Sequence, residues 1–179
     1  MTLHAITVLG HDRPGIIAEA TGHLAGLGLN LEDSTMTLLR GHFAMMLVCA
    51  GDAAATEIEA ALAPLTTDGT LSVAVREVPQ EHAQQAGPDA PATGGTSWVL
   101  TVHGADRPGI VSTIVSEVAR VGGNITDLTT RLAGGLYLLV AELDLPAGVD
   151  AATVEEAIKD AAAALGVGAT LRTAESDDL

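Results

Sequence analysis

The sequence predicts an α+β chain made of two tandem βαββαβ modules, each a four-stranded antiparallel sheet with two helices on one face. Three observations lead there. The segment GHDRPGII at Gly10 recurs as GADRPGIV at Gly104, a shift of 94 residues. The register holds beyond the motif: Gly28 falls on Gly122, Asn30 on Asn124, Asp33 on Asp127 and Thr35 on Thr129. The period of hydrophobicity then changes in the same order within each copy. The stretch from Pro79 to Thr96 is rich in Pro, Gln, Ala and Gly, with almost no large apolar residue, and reads as a linker. The modules are therefore expected at residues 1–79 and 97–174, joined by a linker over 80–96 and followed by a solvated acidic tail over 175–179.

Each element has its own signal. The β-prone runs Leu3 to Leu9 and Trp98 to His103 end at Gly10 and Gly104 and read as first strands. After Pro14, residues Ile16, Ile17, Ala20, Leu24 and Leu27 recur at three- and four-residue spacing, as do Ile110, Ile114, Val115, Val118 and Val121 after Pro108. Both stripes predict amphipathic helices, since proline in a first turn lacks only an N–H that has no partner there. They end near Gly28 and Gly122. Leu29 to Leu39 with Phe43 to Ala50, and Ile125 to Leu132 with Leu136 to Leu145, read as hairpins around Arg40-Gly41-His42 and Ala133-Gly134-Gly135. Second helices follow, with Asp52 and Asp150 as expected caps, carrying Ile58, Leu62 and Leu65 in one copy and Val154, Ile158, Ala161 and Leu165 in the other. Gly69 and Gly166 suit their left-handed ends, and Leu71 to Val75 and Ala169 to Arg172 are last strands. The order βαββαβ, twice, is that of a ferredoxin-like sandwich.

Composition removes several function classes. Acidic residues outnumber Lys and Arg 23 to 8, a formal charge of −15, and such a field repels a phosphate backbone. Direct nucleic-acid binding is not expected. One cysteine, Cys49, closes no internal disulfide and builds no thiolate metal site, and the opening MTLHAITVLG has no basic stretch ahead of an apolar one. The expectation is a cytoplasmic protein. The apolar run from Phe43 to Ala50 is far short of the roughly 20 residues that cross a bilayer, so no membrane span is expected.

The chemistry, if any, lies in the first strand-to-helix turn, where Asp12, Arg13, Pro14, Gly15 and Ile16 recur as Asp106, Arg107, Pro108, Gly109 and Ile110. Free N–H groups at a helix start attract a carboxylate, glycine lets a ligand approach the backbone, and aspartate can hold an ammonium. The pattern suits a small zwitterion. It suits equally an aspartate that caps the helix beside a glycine that permits the turn. Asn30 and Asn124 open the second strands and are expected beside that turn, where a side-chain amide can donate and accept, although asparagine after glycine is also ordinary turn chemistry. Arg13 and Arg107 can bind an acid or form surface ion pairs.

Asp-Arg-Pro-Gly before an amphipathic helix, followed by Gly-Leu-Asn-Leu in a βαββαβ order, resembles the ACT domain, a family of small amino-acid-sensing regulatory modules. The resemblance covers both modules. Asn30 to Met36 followed by Phe43 to Leu47 further resembles the tandem-ACT subgroup of the glycine cleavage system transcriptional repressor type. The resemblance implies an amino-acid ligand between ACT modules, met by Asp12 to Ile16 with Asn30, or by Asp106 to Ile110 with Asn124, and glycine or serine is favoured. His11 and Ala105 differ at one turn position, so the two sites are expected to differ in affinity or ligand. It also implies action through a DNA-binding protein partner.

Other constellations are empty. His4, His11, His23, His42, His82 and His103 show no ligand spacing, Gly26-Leu-Gly28 follows a helix instead of preceding one, and Cys49 sits in an apolar strand. No metal, cofactor or catalytic group is expected. The exposed sheet edges invite side-by-side pairing or a homodimer. The chain thus reads as a non-enzymatic amino-acid sensor acting on a protein partner such as a transcription factor. The alternative is a detached regulatory subunit of an amino-acid-metabolising enzyme.

Overall fold

A computed structural model describes residues 1–79 and 95–174. The described residues form two compact units that share one architecture. In the first, β1 (Thr2–His11), α1 (Ile16–Gly26), β2 (Asn30–Leu39), β3 (His42–Gly51), α2 (Ala55–Leu62) and β4 (Leu71–Val78) follow in order. In the second, β5 (Thr96–Ala105), α3 (Ile110–Arg120), β6 (Asn124–Ala133), β7 (Leu136–Leu145), α4 (Ala151–Ala164) and β8 (Val167–Thr173) repeat it. The sheets run β2-β3-β1-β4 and β6-β7-β5-β8, every neighbour antiparallel. The fold is the expected pair of ferredoxin-like sandwiches. β5 begins at Thr96, which the sequence placed in the linker; residues 80–94 of that linker and the acidic tail lie outside the described residues.

Alternation explains the cores. On the helix-facing side, Ile6, Val8, Phe43, Met45, Leu47, Leu71 and Val75 pack against Ile16, Ala20 and Leu24 of α1 and Ile58, Leu62 and Leu65 that follow. Leu100, Val102, Leu139, Ala141, Leu143 and Leu171 meet Ile110, Ile114, Val118, Val154, Ile158 and Ala162 in the second unit. Ile17 and Leu27 fit the apolar stripe by spacing, yet both are exposed, because the buried stripe of α1 is only as wide as the sheet beneath it. Ala162 takes the buried place expected of Ala161, which packs at the core margin.

Three local features depart from the expectation. Helix α2 stops at Leu62 and continues as a 3₁₀ turn, Ala63–Thr66, since Pro64 supplies no N–H. Asp52 does not cap α2; the residue before the helix is Ala54, whose N–H donates to the Glu57 carboxylate at 2.8 Å. Asp150 does cap α4, accepting the Ala152 N–H at 3.2 Å and the Thr153 hydroxyl at 2.6 Å. Finally, β2 and β6 carry matching bulges between Leu31 and Asp33 and between Ile125 and Asp127. Every residue of β2 is exposed, and nearly all of β6, so each is an uncovered edge strand. No helix among the described residues is long and apolar enough to cross a membrane.

Candidate functional site

The repeated turn is built around a left-handed glycine. Gly15 (φ 91°, ψ −5°) and Gly109 (φ 91°, ψ −4°) immediately precede α1 and α3, and the first helical hydrogen bonds run from the N–H groups of Glu19 and Thr113 to their carbonyls, each at 2.9 Å. No side chain caps either helix. The capping role open to Asp12 and Asp106 is therefore not taken: both stand before Pro and Gly, too far upstream to reach the first helical N–H groups. A Cβ at Gly15 would meet nothing within 4 Å, and one at Gly109 only the Ser112 and Thr113 hydroxyls at 3.9 Å. The space above both glycines is open, and the first N–H groups of each helix have no intrahelical partner.

In the first copy the turn is tied to its surroundings. The Asp12 N–H donates to the Gly41 carbonyl at 3.1 Å and the His11 N–H to the Thr70 carbonyl at 3.0 Å. The exposed His11 and His42, cross-strand neighbours, stack with centroids 5.2 Å apart. The Arg13 guanidinium donates to the Glu19 carboxylate at 2.8 Å, half-buried. Asp68 lies in the field of Arg13: its carboxyl is held below the usual range first by the Thr70 hydroxyl, 2.7 Å away, then by the Thr70 N–H, and to a smaller extent by that guanidinium. In the second copy Thr113 occupies the position of Glu19, and the Arg107 guanidinium lies over Gly166 just past α4, where a Cβ would come within 3.6 Å of Nη2. Among the described residues no carboxylate pairs with Arg107.

The asparagines do not join the turns. Asn30 pairs with Ala50 on the same rung as Leu3, whereas Asp12 follows the rung of His11 and His42 at the opposite end of the sheet, about 27 Å away. Asn124, on the rung of Asp144 and Ser97, stands equally far from Ala105 and Leu136. The expectation that each asparagine lies beside its own turn is corrected. The reason is topological: α1 and α3 carry the chain back along the sheet, so β1 and β2 start at the same end while the turn sits at the other. Asn30 Nδ2 instead donates to Glu32 in the adjacent bulge at 3.1 Å.

The second turn opens on a cavity of about 350 Å³, lined by Asp106, Arg107, Gly109, Ile110, Ser112 and Tyr137 among others. Ile16 and Ile110 are buried and anchor their helices to the cores. Pro14 and Pro108 are exposed and set the bend. Sequence reasoning missed Ser112 and Tyr137, which lie outside the motif, and the Arg13–Glu19 pair, whose six-residue separation straddles turn and helix and matches no regular spacing. A larger hollow, about 500 Å³, lies on the sheet face away from the helices of the first unit, floored by Thr7, Leu9, Thr35, Ala44, Met46 and Ala74. Cys49 is buried, and burial pushes its thiol pKa up. Its cross-strand neighbour is His4, yet neither ring nitrogen of His4 has a hydrogen-bond partner, so the two form no activated pair. No group of three or more His, Cys, Asp or Glu suited to a metal occurs among the described residues.

Known proteins share this arrangement. The ACT domain model matches residues 3–76 and again 96–172. The glycine cleavage system transcriptional repressor of Escherichia coli is 30% identical over 161 residues, covering 86% of this chain and 80% of that protein. A UPF0237 protein of Streptococcus pneumoniae is 47% identical over 47 residues, 26% of this chain and 53% of its own. A protein of unknown function from Galdieria sulphuraria superposes with a TM-score of 0.80 at 25% identity, covering 97% of this chain and 99% of the other. A structure provisionally described as a glycine cleavage system transcriptional repressor gives 0.68 at 18% identity over 98% of both chains, a likeness of fold alone. With the motif matched twice and one relative aligned across most of both chains, this protein belongs to the ACT domain family as a tandem-ACT member similar to the glycine cleavage system transcriptional repressor.

Proposed function

We propose that this chain is a non-enzymatic regulatory protein that binds a free α-amino acid at one or both of its Asp-Arg-Pro-Gly turns and passes occupancy to a protein partner. One observation carries the reading: both copies expose an uncapped helix start behind a left-handed glycine, with an aspartate at the same place, so a carboxylate and an ammonium each find a complement. A capping role, which would make the motif purely structural, is absent in both. Because Asn30 and Asn124 do not reach the turns of their own copies, they contribute only if another module, of this chain or of a second one, supplies them. Antiparallel addition of a second chain along β2 sets the Asn30 end of one strand beside the Leu39 end of the other, close to the Asp12 turn. A homodimer through an exposed edge strand is part of the proposal. The net charge of −15 speaks for a protein partner over DNA itself, and the similarity to a protein named as a transcriptional repressor makes a transcription factor the first candidate.

The test is a thermal-shift and calorimetry screen of the twenty amino acids, starting with glycine and serine. At about a hundred times its dissociation constant, a ligand that binds only the folded state adds roughly 2.7 kcal/mol. For a chain of this size the midpoint rises by about 5 to 10 °C. No shift and no heat from any amino acid would refute the sensor reading. Tight, salt-sensitive operator binding by the chain alone would refute the need for a partner.

A further inference from the structure

The two turns share a motif, and their charges differ. In the first copy Arg13 is held by Glu19 at 2.8 Å with Asp68 also in its field, so the guanidinium already has its anions. In the second copy the helix residue equivalent to Glu19 is Thr113, and the loop that carries Asp68 in the first unit is replaced by Leu165-Gly166, with Arg107 over the glycine. The C-terminal carbonyls of α4 beside it supply partial negative charge and no full one. Around Arg107 two more substitutions change apolar side chains into hydroxyls. Tyr137 replaces Phe43, which is buried in the first core, and Ser112 replaces Ala18. Tyr137, Ser112 and Arg107 line the same cavity of about 350 Å³, together with the acid Asp106.

We infer that the copies are unequal: the cavity of the second, where Arg107 has no carboxylate partner among the described residues and Tyr137 and Ser112 stand beside it, takes the carboxylate of the ligand, while Glu19 holds Arg13 out of binding in the first. Arg107 is then the specificity-determining cation and Glu19 the residue that silences its counterpart. The guanidinium fork matches a carboxylate bidentately; the Ser112 hydroxyl, which donates to the Gly109 carbonyl at 3.1 Å, can still accept from an ammonium, and the Tyr137 hydroxyl can accept from an ammonium or donate to a second acceptor. This rests on the amino-acid-sensing reading for the identity of the ligand; the carboxylate preference of Arg107 stands independently of it.

Two arms separate the claims. In the first, the arginine side-chain Nε resonances of the full chain are followed by NMR during titration with sodium acetate, against sodium chloride at matched ionic strength. Arg107 should shift saturably and Arg13 should not, and in Glu19→Gln the Arg13 resonance should begin to respond. An equal response of the two arginines in the unmodified chain, a response of Arg13 alone, or no saturable response of Arg107 overturns the inference. In the second arm, glycine, L-serine and L-glutamate are titrated by calorimetry. One site per chain is expected, weakened about tenfold or more by Arg107→Gln and unchanged by Arg13→Gln. Two equal sites, or loss on Arg13→Gln, also overturn it. If acetate selects Arg107 while no amino acid binds, the sensor reading fails and the unequal turns remain.

Discussion

Arg40 is the one non-glycine described with a positive φ, 51°, in the β2–β3 hairpin, and the second copy places Gly134, φ 59°, at the same position. An L side chain pays steric strain there, partly offset because glycine is freer when unfolded. Arg40→Gly should therefore raise stability by about 0.5–1 kcal/mol, seen as a higher urea midpoint with unchanged slope. A lower midpoint would mean that the arginine makes a contact worth more than the strain. His4 presents the opposite problem, a fully buried imidazole with both nitrogens unpartnered, where the second copy has Trp98. Removing a partnerless buried polar group recovers part of its desolvation cost, about 1–3 kcal/mol, so His4→Leu should raise the melting temperature. Lowering it would show that the ring's packing matters more than its polarity.

Among the elements, α4 and the edge strands carry the sharpest consequences. The Asp150 cap holds its carboxyl pKa below the usual range through the Thr153 hydroxyl, then the Ala152 N–H. A folded-state pKa below the unfolded one contributes stability that is present above the unfolded value and lost as pH falls through the folded one. Asp150→Asn should therefore lower stability at neutral pH and flatten the loss of stability in acid, measured by denaturant melts from pH 7 to pH 2. An acid limb as steep as in the unmodified chain would place the dependence elsewhere, with Asp68 and Glu155, also lowered, as the next candidates. Along β2, Leu31, Met36, Leu38 and Leu39 are exposed beside unpaired backbone groups, a surface that pairs or aggregates unless covered. Sedimentation should show a dimer at micromolar concentration, and Leu38→Lys should shift it toward monomer with the circular dichroism unchanged. A monomeric unmodified chain would remove β2 pairing from the proposal.

For the whole molecule, the 94-residue shift already contained most of the architecture. Periodicity is local, and a repeated pattern doubles the sampling of each element, so strands, helices and sheet class were legible without coordinates. Even the left-handed glycines Gly69 and Gly166 followed from local chemistry, because positive φ is a property of one residue and its neighbours. What the sequence did not decide was which groups meet across the fold. It placed Asn30 beside the Asp12 turn because both are polar and flank the same helix, whereas the length of that helix sets them at opposite ends of the sheet. It left capping open for Asp12, and only the path through Pro14 and Gly15 excluded it. It could not tell Arg13 from Arg107, identical in motif, because their difference lies in Glu19 and Asp68 on one side and in Thr113 and Gly166 on the other. Local propensity is written in neighbouring residues; the charge state of a site is a sum over groups that only folding brings within reach of one another.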